Sequence, residues 1–116
     1  MYNFEKLRVW QESVILVEVV YEQIKQLPKD ERYALTDQLR RSVTSVSLNI
    51  AEGSGSDSKK SFVLSLNIAL KSLYETVSIL KIAEKLFNNN FDKSLQQCDL
   101  VGKLLHGLIR SLKSDI

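Results

Sequence analysis

A chain of 116 residues, 44% hydrophobic and 26% charged, has room for one domain with a core and lacks the composition of a disordered segment. Its 16 lysines and arginines against 14 acidic residues leave a net charge of +2, which excludes a uniformly basic nucleic-acid binder and confines any basic surface to a local patch. The 1 cysteine excludes an intrachain disulfide, and the 1 proline and 4 glycines are too few chain breakers for a strand-rich fold, so a few long helices are expected.

The start, MYNFEKLRVWQE, has no signal-peptide order of charged, apolar and small residues. The uninterrupted apolar runs are well short of the roughly 20 residues of a bilayer span. A soluble cytoplasmic protein is therefore the expectation, with no membrane partner.

The first helix is predicted from Phe4 or Leu7 to Gln26, with Asn3 as N-cap and Pro28 closing it. Leu7, Trp10, Val14, Val17, Tyr21 and Ile24 form one seam at helical spacing. Val9, Ile15, Leu16, Val19 and Val20 lie outside it, more apolar surface than one buried face requires, which in a small protein points to contacts between subunits.

After PKDERYALT, where either Asp30 or Thr36 could cap, the second helix carries Leu35, Leu39, Val43, Val46 and Ile50 on one face and runs to about Glu52. Beside that face run Gln38, Arg41, Ser42, Ser45, Asn49 and Glu52, a polar stripe expected to be half buried. Polar groups buried without partners are costly, so Gln38, Asn49 and Glu52 are expected to bond across to another helix and set its register. Asn49 and Glu52, one turn apart, are also placed to hold the following turn together. Gly53 and Gly55 are expected to supply the positive φ that ends the helix.

Asp57 or Ser58 caps a third helix reaching Phe87, about 44 Å long by the usual rise. Phe62, Leu66, Ala69, Leu73, Val77, Leu80 and Phe87 line its buried face, while Ile68, Ile79, Ile82 and Leu86 lie outside it as candidate subunit contacts. Asn88 to Asn90 form a loop, since asparagine tolerates the left-handed region. Asp92 caps a last helix to Lys113, with Cys98, Val101, Leu105, Leu108 and Leu112 as its seam. Short loops between four helices imply antiparallel neighbours in up-down-up-down order.

Chemistry-bearing residues are sparse. His106, the only histidine, has no carboxylate three or four positions away, and Cys98 on the seam reads as a small core residue rather than a nucleophile. AEGSGSDSKK offers backbone N–H groups before a helix, but its glycines follow a helix rather than a strand and lack the phosphate-loop spacing. No cofactor, metal site or small-molecule substrate is expected. Arg40 and Arg41, with Lys59 and Lys60 across the turn, are the candidate phosphate contacts; the competing reading is a solvated surface or pairing with Glu52 and Asp57.

FEKLRVWQES, LPKDERYALTDQLRRSVTSVSLNIAEGSG and SFVLSLNIALKSLYE resemble the four-helix-bundle proteins associated with rRNA intervening sequences, over about three quarters of the chain. That family is called ribosomal-protein-like because some members are encoded inside intervening sequences of large-subunit rRNA genes. The resemblance implies an antiparallel bundle assembling into a homopentamer, no enzymatic activity, and kinship with pentameric accessory proteins of diversity-generating retroelements, which bind nucleic acid and a reverse transcriptase. Its motif falls here on Trp10, Gln11, Glu31, Leu35, Gln38, Arg40, Arg41, Asn49, Glu52 and Gly53. Ser56 stands where arginine is frequent, and Lys71 where a glycine is common before Ser72, which questions how closely the third helix approaches its neighbour.

The expectation is thus an all-α, antiparallel up-down-up-down four-helix bundle over residues 1–116, working as a non-enzymatic homo-oligomeric scaffold that binds RNA or a nucleoprotein through Arg40, Arg41, Lys59 and Lys60. The alternative is an interaction module that captures a partner polypeptide on apolar surface without nucleic acid. Trp10, Gln38, Asn49, Glu52 and Gly53 are assigned to structure, and Ile15, Leu16, Val19, Ile68, Ile79 and Ile82 to subunit contacts.

Overall fold

The computed structural model describes residues 1–116 as an elongated body of 45 × 24 × 19 Å, all-helical and without strands. The helices are α1 (Arg8–Gln23), α2 (Leu35–Ser54), α3 (Lys59–Phe87) and α4 (Asp92–Ser114), with short 3-10 turns at Asn3–Lys6, Ile24–Gln26 and Lys29–Glu31. They form an up-down-up-down bundle in which α1 and α3 each pack against both α2 and α4, so those two pairs sit on the diagonals. A single cluster of buried apolar side chains runs through all of them.

The face of α2 is the one expected: Leu39, Val43, Val46 and Ile50 are fully buried. That of α1 is turned by roughly 90° from the predicted seam at 100° per residue. Val9, Ser13, Leu16, Val20 and Ile24 face the core, while Trp10, Val14 and Val17 are half buried and Tyr21 is exposed. Apolar periodicity misphased this helix because a serine lies at the centre of its buried face. Ser13 is sealed there by bonding, with its Oγ 2.6 Å from the Trp10 carbonyl and 2.9 Å from Ser47 Oγ of α2. Leu16 is therefore core rather than subunit contact, and so is Ile79 on α3.

Hydroxyls, not long polar side chains, join α2 to its neighbours. Thr76 of α3 donates to Ser42 Oγ at 2.8 Å, which passes a hydrogen bond to the Leu39 carbonyl at 3.2 Å, and Ser45 meets Ser72 at 2.8 Å. Gln38 and Glu52 are exposed, and the Asn49 amide turns back onto Ser45 of its own helix, donating to the carbonyl at 2.8 Å. The expected cross-helix bonds of Gln38, Asn49 and Glu52 are thus made by shorter side chains, which reach across without holding the backbones apart. The expected Asn49–Glu52 clamp on the turn is not made either. Lys71 points to solvent beside Ser72, so it leaves the α2–α3 approach unhindered.

Gly53 has a different role from the one expected. No glycine has positive φ; α2 continues through Gly53 to Ser54, and Gly55 ends it at φ −89°. A Cβ on Gly53 would stand 2.7 Å from Ser65 Cβ and 2.8 Å from Phe62 Cδ1. The glycine is there because α3 crosses too closely for any side chain.

The caps also differ. Ser58 caps α3 by accepting from the Ser61 N–H, whereas neither Asp30 nor Thr36 caps α2, which follows Ala34 directly. Asn3 lies inside a 3-10 turn held by the Tyr2 N–H on Glu5 Oε2, and extended Leu7 precedes α1. Asp92 is the first residue of α4 rather than its cap. The α4 N-terminus is satisfied by other elements: Asn90 accepts from the Asp92 N–H, and Gln23 of α1 accepts from both the Ser94 N–H and its hydroxyl. Asn88, at φ 55°, is the one left-handed residue, as the asparagine run suggested.

The long, apolar α3 would by length and composition alone suit a membrane span. Here it packs two faces against neighbours and leaves the third uncovered.

Two glycine substitutions should move stability in opposite directions. Gly53→Ala is expected to destabilise by about 1–3 kcal/mol through overpacking. Gly107→Ala, where a Cβ meets nothing within 4 Å, should stabilise by about 0.5–1 kcal/mol through helix propensity. Urea unfolding of both variants beside the wild type reads the contrast.

Candidate functional site

The basic residues singled out from sequence do not converge. Antiparallel α2 and α3 meet at Ser45–Ser72, Ser42–Thr76 and Gly53–Ser65, a register that sets Arg41 level with Val77. Lys59 and Lys60 lie about 25 Å away along the bundle at 1.5 Å per residue. Sequence adjacency across a turn had suggested one patch, but α2 carries its arginines in its first half, far from that turn. Nor are these cations equally free. Arg41 pairs with Asp37 at 2.8 Å and Lys59 with Asp115 at 3.0 Å, while the Arg40 guanidinium lies 5.7 Å from the centre of the Tyr21 ring. The expected partners Glu52 and Asp57 are not those used. Both pairs are largely exposed and contribute little to stability.

The apolar surface is better organised. On α3, Leu64, Ile68, Ile82 and Leu86 recur within about 40° of one another on the helix wheel. With Leu48 of α2, level with about Leu70 of α3, they remain 43 to 64% exposed. On the diagonally opposite helix, Ile15 is exposed and Val19 half buried. Trp10 stays on the protein's own surface layer, half buried and edge-on to Phe4 at 4.9 Å.

A groove of about 690 Å³ runs between α3 and α4, floored by Leu73, Val77 and Cys98 and rimmed by Tyr74, Lys103, His106 and Arg110. Tyr74 Oη lies 3.2 Å from His106 Nε2. None of these rim residues stood out in sequence as part of one site. The available signal was on α4: Gly102 and Gly107 stand within the helix, and Lys103 and Arg110, two turns apart, share a face with His106 between them. The contribution of Tyr74 is visible only once α3 lies alongside.

Nothing in these arrangements sets a nucleophile beside a base. His106 meets a phenol rather than a carboxylate. The Cys98 thiol is pushed up to about 12, first by burial and then by the neighbouring charge of Asp99. No group of histidine, cysteine, aspartate and glutamate side chains has a metal-binding arrangement.

A family model described as 23S rRNA-intervening sequence protein matches residues 5–107. The fold is similar to the crystal structure of a protein with unknown function from the S23 ribosomal protein family of Bacteroides thetaiotaomicron VPI-5482, at 25% sequence identity and a TM-score of 0.65 over 93% of this chain and 97% of that one. No curated protein matches significantly.

The raised value for Cys98 means less thiolate at any given pH, about a thousandfold less than for a thiol at its ordinary value of 9.0. Iodoacetamide at neutral pH should therefore leave the native protein unmodified over a period that fully alkylates the same protein in urea. Intact-mass measurement of both samples checks this.

Proposed function

The chain belongs to the 23S rRNA-intervening sequence protein family, and from that membership we propose that it is a non-enzymatic helical scaffold that assembles with copies of itself. The observation that carries this reading is the pair of apolar surfaces left by the bundle, Leu48 with the α3 stripe on one side and Ile15 with Val19 on the diagonal helix. On α3 these fall in two groups, Leu64 with Ile68 and Ile82 with Leu86, on either side of exposed Glu75, and clustered exposed apolar side chains of this kind mark protein contacts. Two different patches on different sides of a subunit suit heterologous, head-to-tail contacts, which close into a ring when the rotation permits. Five copies is the number expected from the family resemblance.

Such a ring would repeat the Arg40–Arg41 and Lys59–Lys60 pairs around its circumference. Each pair is a weak phosphate contact, and repetition would raise avidity for a structured RNA or nucleoprotein in a cytoplasmic setting. The competing reading, capture of a different polypeptide on the α3 stripe without nucleic acid, is favoured by the carboxylates that already occupy Arg41 and Lys59.

Native mass spectrometry of protein purified from its own cells, with and without nuclease, separates these readings. A ring is expected, and Ile68→Glu with Ile82→Glu should reduce it to monomers that keep their helical circular dichroism. A wild-type monomer would remove the scaffold. RNA released by nuclease and lost with Arg40→Ala plus Arg41→Ala supports the nucleic-acid role, whereas a bound foreign polypeptide resistant to nuclease and salt supports the other.

A further inference from the structure

The groove between α3 and α4 combines free charge, an exposed ring and open space, and the scaffold reading uses none of them. We propose that it binds a nucleotide-type ligand, a planar heteroaromatic ring carrying a phosphate, with the phosphate at Arg110 and the ring against Tyr74 and the apolar wall of Leu73 and Val77.

The first observation is charge. Lys103 and Arg110 line the groove against a single carboxylate, Asp99, and none of the protein's ion pairs involves either cation. Asp99 lies one turn before Lys103, so the surplus positive charge is concentrated at the Arg110 end. A guanidinium there presents its N–H fork to phosphate oxygens, a geometry suited to paired contacts. The second observation is shape. Tyr74 keeps its ring exposed beside His106, and the floor is aliphatic. A flat aromatic ligand gains both dispersion and stacking on such a wall.

The third observation is the open space at Gly107 of α4. Gly102 and Gly107 sit inside a regular helix, where glycine is unfavourable relative to alanine. At Gly107 an added Cβ would meet nothing within 4 Å, so close packing is not what places a glycine there, in contrast to Gly53. The space it leaves belongs to a groove of about 690 Å³, inside the roughly 300–1,000 Å³ of small-molecule sites. This departs from the expectation that no small molecule is bound. The site lies on one subunit and needs no second copy.

The same ring-plus-phosphate chemistry belongs to a free mononucleotide and to an unpaired nucleotide at the end of an RNA strand. Calorimetric titration of the intact protein with AMP, adenosine, inorganic phosphate and a short single-stranded oligoribonucleotide distinguishes them. AMP should bind at least tenfold more tightly than adenosine or phosphate, since each lacks one half of the contacts. Gly107→Leu, which adds a side chain to the groove lining, and Arg110→Ala should each weaken AMP binding about tenfold or more. Gly107→Leu is the decisive variant, because it should lose ligand without losing thermal stability. Oligoribonucleotide binding without AMP binding, abolished by the same two variants, assigns the site to a strand end. No binding of either probe at millimolar concentration overturns the proposal. So does binding that both variants leave intact, including oligoribonucleotide binding lost only with Arg40→Ala plus Arg41→Ala.

Discussion

The close crossing of α2 and α3 is the constraint on which the rest of the bundle depends. Gly53 lets the α3 side chains Phe62 and Ser65 occupy the space where a Cβ would be, and Ser45–Ser72 and Ser42–Thr76 close the same seam further along. Each neutral hydrogen bond contributes only about 1 kcal/mol net. Their directional value is larger than that figure suggests. A slip of α3 by one residue would unpair buried hydroxyls while also driving a side chain into Gly53, so register is penalised twice. With α3 held in this way against α2, its opposite flank meets α4 less intimately, and the groove beside Gly107 opens there.

The other pair of helices is joined by polar clasps at the far end of the molecule. Gln26 and Asn90 bond in both directions, the side-chain amide donating to the Asn90 carbonyl and accepting the Asn90 N–H. Gln23 covers the α4 N-terminus, and Glu84 accepts the N–H of Phe91. Phe91 itself is fully buried and plugs the base of the core. The short loop is thereby tied to the Ile24–Gln26 turn and to α3. Orphan N–H groups at a helix start need some acceptor, but not one from the same chain segment.

What remains on the surface is divided by chemistry. Apolar residues gather on the outer face of α3 and, in smaller number, on α1. Two unpaired cations, Lys103 and Arg110, line the α3–α4 groove, while Arg41 on α2 and Lys59 at the start of α3 are paired with Asp37 and Asp115. The single thiol, on the groove floor, is unreactive because its burial suppresses the thiolate.

Helix number, approximate limits, the buried face of α2 and the glycine-marked α2–α3 connection were all legible in the chain, because they follow from apolar periodicity and from breakers acting over a few residues. The limits failed where caps came from elsewhere: Asp92 looked like a cap, yet Gln23, sixty-nine positions earlier, supplies part of that function. The α1 face was misread because Ser13 is buried only through its partner on α2, and no local pattern announces that partner. Leu16 and Ile79 were taken as surplus apolar surface for the related reason that a helix packed against two neighbours buries a wider arc than one seam. The candidate basic patch dissolved on folding, since proximity across a turn says nothing about residues more than three helical turns away from it. The groove was invisible for the converse reason: Tyr74 and His106 are far apart in the chain, and only the antiparallel register of α3 and α4 brings phenol and imidazole together. Local physics is written in the sequence, whereas every site built from two helices depends on a register that packing alone decides.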